Sequence, residues 1–296
     1  MSFVTIKSEY IWNHNNSLKS KTKFLNFKKE DDPNWKIDLE DMPLLPIFLD
    51  AEETEEAVLR PVFACIDPNR KNSILVLCDV LDLEFTPHHS NTRARMLDSF
   101  VKVYSNEPLI AFDQEYVLSK GDSLIAPIQE GEYCDANESS YQARMVGELH
   151  TNSCLSSQLM VESFSAKYAP SVWSYRIGGV NSNPVSVCDQ LLVSRFLLKR
   201  AAESNGYSVF KNDTLYAGKL HITYSDLKMR KPNSEGLTYI NEAESILIAK
   251  GHDIRVSWET KRQGFGSLTV MSFKCNDDPY IILNTIFSNL GSYYGL

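Results

Sequence analysis

What most constrains this chain is the way two periodicities divide along it. Residues 1 to about 86 carry short runs of β-branched, aromatic and aliphatic residues at Phe3 to Ile6, Glu9 to Trp12, Val62 to Ile66 and Ile74 to Val80, separated by Asn, Asp and Pro clusters that favour turns. Helical spacing belongs to the later part. Tyr141 to Ser156 has Met145, Val146, Leu149 and Cys154 in step, and Asp189 to Glu203 has Leu192, Phe196 and Leu197. A third helix leads from Gly236 to Lys250, where Gly251 supplies the residue that caps a helix C-terminus, and a last one covers Ile281 to Leu290. A strand-rich segment followed by a mixed one predicts an α+β fold.

Composition removes several classes of function. A formal net charge of -8 over 296 residues argues against a surface built for nucleic acid. The basic run Lys19 to Lys29 reads as a solvated face. No apolar run approaches the roughly 18 residues of a membrane span, and the N-terminus has neither a signal-peptide core nor an Arg-rich presequence, so a cytoplasmic protein is expected. Cys65, Cys78, Cys134, Cys154, Cys188 and Cys275 are widely spaced and form no C-x-x-C pair, which fits reduced thiols. His88 and His89 are adjacent, and on an extended segment their side chains point to opposite sides, so a surface or turn role is expected rather than a metal pair.

Two acids fall close together in Ala111 to Leu118, by themselves a common pattern. Asp113 and Glu115 alternate with Gln114, so a strand here presents both acids on one face. His150 falls on the helix from Tyr141 and reads as a packed residue.

The stretch Ser165 to Gly178 holds Ala166, Pro170, Trp173, Tyr175 and Gly178. In these positions it resembles the metal-binding core of the glutamine synthetase family, whose frame reads Asn-Ala-Glu-x-x-Pro-x-x-Trp-Glu-Phe-x-x-Gly. Lys167 and Ser174 stand where the family has its two metal-binding glutamates. The resemblance is collinear from Glu9 to Leu290. Ala111 to Leu118 is similar to the family's Gly-x-Glu-Gln-Glu-Tyr-Thr-Leu strand, with Asp113 and Glu115 at the acids. Ala217 to His221 is similar to its Gly-Ala-Gly-x-His, with His221 at a metal-binding histidine. Trp258-Glu259-Thr260 resembles His-Glu-Thr. Trp35 to Asp38 resembles the Trp-x-x-Asp-Gly-Ser-Ser loop that a neighbouring subunit contributes, but Leu39, Glu40 and Asp41 replace the glycine and serines. Tyr133 to Ser140 has no glycine where the family has a glycine-rich, nucleotide-contacting segment. After Gly251 the chain is short, and two segments carrying the family's arginines and a further metal glutamate are missing.

The resemblance implies a β-grasp-like N-terminal domain over 1–88. It also implies a glutamine synthetase-like catalytic domain, a curved antiparallel sheet with surrounding helices, over 89–296. The family positions are Asp38, Asp113, Glu115, Lys167, Ser174, His221 and Glu259. A lysine in place of a metal-binding carboxylate turns attraction into repulsion of ~4 kcal/mol per unit charge at about 4 Å and an effective dielectric near 20. The expectation is therefore a chain that is not an enzyme, with no catalytic residue, cofactor or metal, serving as an interaction or structural subunit. Its expected partners are other proteins, copies of itself or an active glutamine synthetase, and neither membrane nor nucleic acid. The alternatives are a regulatory partner of an active enzyme, a divergent ATP-dependent carboxylate-amine ligase, and an anion-binding protein using Lys167, Arg176 and Lys219.

Overall fold

A computed structural model describes residues 3–28, 38–121, 123–125, 134, 141–167, 172–179, 182–209 and 218–296. Outside them lie the loop residues 34–37, Pro170, Ala217 and, save for Cys134, the segment 133–140. The chain divides into two units, Met1–Ala94 with Ser156–Gln158, and Arg95–Leu155 with Leu159–Leu296.

The first unit is a five-stranded sheet. Asn15 and Asn16 stand at φ 51° and 55°, the left-handed pair that a two-residue hairpin between twisted strands requires. They join β1 (Phe3–His14) to β2 (Ser17–Lys28). The runs Phe3 to Ile6 and Glu9 to Trp12 form one strand, because Lys7 continues the ladder to Phe24 on one side and Ser73 on the other. β3 (Leu45–Phe48), β4 (Glu56–Ile66) and β5 (Ser73–Leu81) complete the order β2-β1-β5-β4-β3, with β1 and β5 parallel. The β4–β5 register shifts between Pro61 and Phe63, next to a residue with no N–H to give a ladder. Tyr10, Trp12, Leu59, Val76 and Val80 make the core of this sheet. Lys19, Lys21 and Lys23 are exposed on β2, where charge discourages further strand pairing at an edge.

The expected opposition of His88 and His89 is not found. The pair lies in a turn, closed by the Asn91 N–H to the His88 carbonyl at 2.8 Å, and not on an extended segment. Their rings share a side, with centroids 4.1 Å apart.

In chain order the second unit takes in most of α1 (Thr92–Val103), then β6 (Leu109–Lys120), β7 (Ser123–Leu124), α2 (Tyr141–Ser156), β8 (Val161–Ala166) and β9 (Val172–Gly178). There follow α3 (Pro184–Ser204), β10 (Ser208–Val209), β11 (Lys219–Ser225), α4 (Glu235–Ala249), β12 (Ile254–Arg255) and α5 (Trp258–Gln263). β13 (Leu268–Lys274), α6 (Pro279–Asn289) and α7 (Gly291–Tyr294) end the chain. The sheet is antiparallel in the order β12-β13-β11-β6-β9-β8, with β7 and β10 also paired to β6, and the fold is α+β.

One face of this sheet, carrying Phe112, Tyr116, Trp173, Tyr175, Leu220, Ile222 and Tyr224, is buried. α3 packs over it. It begins at Pro184, five residues before the sequence reading, because the Asn183 side chain accepts the N–H groups of Val185 and Ser186 and proline suits the first helical position. α2 has the expected bounds and buries Val146 and Cys154 of the expected set, but not Met145 or Leu149. Met145 and Leu149 are 44% and 37% exposed, while Val146, Gly147, His150 and Cys154 turn inward. Gly147 decides this: a Cβ there would lie 2.9 Å from the Tyr116 hydroxyl and 3.1 Å from Phe164, so this face of the helix is the one that sits close to the sheet.

Candidate functional site

The other face of the sheet is polar, and cross-strand register assembles it. His221 pairs with Asp113, and Asp113 with Arg176. One step along, Glu115 pairs with Ser174, and Ser174 with Ser165. Asp113 and Glu115 share the face, as their spacing implies, while Gln114 between them is buried on the other side.

Gln114 holds the site from behind. Its amide donates to the Cys275 carbonyl at 3.0 Å and its oxygen accepts from Arg195 Nε at 2.7 Å. Arg195 is partly buried and also donates to the carbonyls of Cys275 and Asp277 at 2.8 and 2.9 Å. β6 is thereby tied to the segment that leads into α6.

Glu115 is 4% exposed, and its two oxygens are engaged. Oε2 accepts the Lys219 N–H at 2.9 Å, and Oε1 lies 3.4 Å from His221 Nε2. Burial alone would raise the Glu115 pKa. The His221 side chain, the Lys219 N–H and the charge of Lys167 outweigh it and hold the carboxyl below its ordinary value. His221 Nδ1 is buried and has no hydrogen-bond partner among the described residues. Gly218 makes the close approach possible: at φ +85°, a Cβ there would stand 3.0 Å from Glu115 Cβ. Leu220 does not crowd this turn, since its side chain is buried on the opposite face.

Asp113 is held by Arg176 at 2.6 Å. The same guanidinium reaches Glu162 at 2.8 Å and Thr223 Oγ1 at 3.2 Å. Arg176 is therefore neutralised by two carboxylates and is no free member of a basic pocket, which corrects its grouping with Lys167 and Lys219. Glu162 was not singled out in the sequence. It sits beside a register irregularity between Val161 and Ser163, which no local pattern announces.

Asp113, Glu115, Lys167, Ser174 and His221 thus belong to one neighbourhood. Glu259 is exposed on α5, accepting from Gln263 of its own helix at 3.2 Å. Asp38 belongs to the first unit, where its carbonyl accepts the Asp41 N–H at 3.1 Å. The family's divalent metals fit this face poorly. A magnesium ion wants several oxygens at about 2.0–2.1 Å in octahedral array. Here Asp113 is bound to a guanidinium and Glu115 to a histidine and an amide, with the charge of Lys167 close by. Among the described residues no three donors of this face converge within ligating reach.

No family model matches the chain. It is similar to a glutamine synthetase of Streptomyces viridochromogenes, 28% identical over 339 aligned positions that cover 94% of this chain and 95% of that protein. It is similar in the same proportions to a glutamine synthetase of Streptomyces hygroscopicus, and at 26% identity to one of Emericella nidulans, covering 97% of this chain and 92% of that one. The 339 aligned positions exceed the 296 residues here, so the relatives carry residues with no counterpart in this chain. The shared name is that of an enzyme across nearly the whole length, and this overturns the expectation, drawn from Lys167, Ser174 and the missing segments, that the chain is not an enzyme.

Proposed function

This chain is related to the glutamine synthetase family over nearly its whole length, and from that premise we propose that it is a divergent ATP-dependent carboxylate-amine ligase. The observation that carries the reading is the pairing of His221 with Glu115 beside Lys167 and Lys219. With its proton on Nε2, toward Glu115, the imidazole has Nδ1 as an acceptor, the arrangement of a general base oriented by a carboxylate. Active-site hydrogen bonds of this kind tighten when substrate arrives, so 3.4 Å is within range.

The chemistry assigned to these residues is electrostatic and acid-base. ATP transfers its terminal phosphoryl group to the substrate carboxylate, and the amine nitrogen then displaces phosphate from the acyl carbon. Lys167 and Lys219 supply positive charge where the anions meet the sheet. The His221–Glu115 pair takes the proton that the attacking amine loses. Glu115, buried and ionised, stabilises the imidazolium so formed.

The test is phosphate release by the untagged protein with ATP and a panel of carboxylates and amines, glutamate and ammonia among them. Release should fall about a hundredfold or more in H221A, the usual range for a lost general base. No release above the blank with any pair overturns the reading.

A second reading, assembly with further copies of this chain, rests on a separate observation. Phe3 and Phe24 are 70% and 67% exposed on the face of the β1–β2 hairpin that points away from the core of its sheet. Light scattering after gel filtration should give a multimer that F24D dissociates; a monomer at all concentrations removes this reading.

A further inference from the structure

The first unit gathers a set of nitrogen and oxygen donors that the ligase reading does not use. Glu55, His88 and His89 place one ligand atom each within 4.8 Å of one another. The His88 Nε2 to Glu55 Oε1 distance is 3.1 Å. Donors bound tetrahedrally to one ion at about 2.0–2.1 Å stand roughly 3.3 Å apart, so this pair is already at ligating separation. We propose that Glu55, His88 and His89 form a binding site for one divalent transition-metal ion of the zinc class.

Three features of the backbone present these donors. Glu55 ends the turn between β3 and β4, where Asp50 accepts the N–H groups of Thr54 and Glu55 at 2.9 and 3.0 Å and the Thr54 hydroxyl. The strap after β5 is set by Asp82, which accepts from Glu84 N, Thr86 N and the Thr86 hydroxyl, and by the His88 N–H to the Val80 carbonyl at 3.1 Å. The turn that follows puts both imidazoles on one side. Neither histidine needs a change of backbone to meet Glu55.

The surroundings suit a metal-bound imidazole. His88 Nδ1 accepts the Ser90 N–H at 3.2 Å and lies 2.8 Å from Ser90 Oγ, contacts that fix the ring with Nε2 toward Glu55. His14, at the end of β1, lies close enough to feel the charges of Glu55, His88 and His89, and its buried Nδ1 has no hydrogen-bond partner among the described residues. Two imidazoles, a carboxylate and a neighbouring third imidazole are borderline donors that favour zinc, nickel or copper over magnesium. The family's metal positions are elsewhere, on the sheet of the second unit.

The experiment is calorimetric titration of the untagged, chelator-stripped full chain with zinc, repeated with H89A, E55Q and the H88A/H89A double variant. His89 is exposed, so H89A keeps the fold, and thermal melting verifies this for each variant. One equivalent should bind, at least tenfold more weakly in H89A and E55Q and without saturation in the double variant. Cobalt should give a spectrum without the near-ultraviolet thiolate band that coordination by Cys134 or another cysteine produces. Absence of saturable binding, affinity unchanged in H89A and E55Q, or a thiolate band would each overturn the site.

Discussion

The Asp113 carboxylate lies 2.6 Å from the Arg176 guanidinium across the paired strands β6 and β9. Both side chains are three-quarters buried, and Arg176 also holds Glu162. Arg176→Met leaves two carboxylates facing each other with no cation between them. This partly exposed setting places the loss between that of a surface pair and a buried one, about 1–2 kcal/mol by urea denaturation. In a double-mutant cycle, Asp113→Asn should recover part of this loss when combined with Arg176→Met. Simple additivity of the two would deny the pair any coupling.

Arg195 serves the same strand from the other side. It is partly buried, with its guanidinium donating to the Gln114 oxygen and to two carbonyls ahead of α6. Arg195→Met fits the space but takes the donor from the Gln114 oxygen and the Asp277 carbonyl, while the Cys275 carbonyl keeps the Gln114 amide, and should cost about 2–4 kcal/mol. The matching readout is hydrogen exchange: amides of β6 and the start of α6 should lose protection together.

Gly178 closes the Ser165 to Gly178 stretch at φ +88°. A Cβ there would stand 2.7 Å from Val187 Cγ1 and 2.8 Å from the Ile110 carbonyl oxygen, so both conformation and space exclude a side chain. Gly178→Ala should lower stability by roughly 2–4 kcal/mol, from backbone strain and overpacking together. A loss under about half a kcal/mol would mean that the strand end shifts freely.

That glycine shows what the sequence made legible. Features set by local chemistry were readable: α2 from its periodicity, the end of α4 from Gly251, and the shared face of Asp113 and Glu115 from the strand repeat. Ala166, Trp173 and Gly178 are buried or sterically fixed. Features set by register or by a turn were not readable. The Asp113–Arg176 contact depends on how β6 meets β9, and the common side of His88 and His89 depends on a turn that no repeat reveals. Met145 and Leu149 looked inward by spacing alone, yet the small residue Gly147 chose which side of the helix could approach the sheet.

His150 connects that helix to a dependence on pH. Its ring is fully buried, with Nε2 3.0 Å from the Ser194 carbonyl oxygen and 3.2 Å from Cys154 Sγ. Burial pushes its pKa down from 6.5 to about 4, against a smaller upward pull from the Ser194 carbonyl. The folded value lies below the unfolded one, so on acidification the unfolded chain takes up this proton first. The neutral ring's contribution is complete above about pH 6.5 and is lost as the pH falls toward 4, by ~3 kcal/mol over the whole interval as an upper figure. His150→Leu removes the titrating group while keeping an apolar side chain in the space. Its stability, measured by urea denaturation from pH 7.5 to 4.5, should fall less steeply than that of the parent, whatever its absolute value. Parallel slopes for the two proteins would mean that His150 takes up its proton equally in the folded and unfolded states, which a ring this deeply buried does not allow.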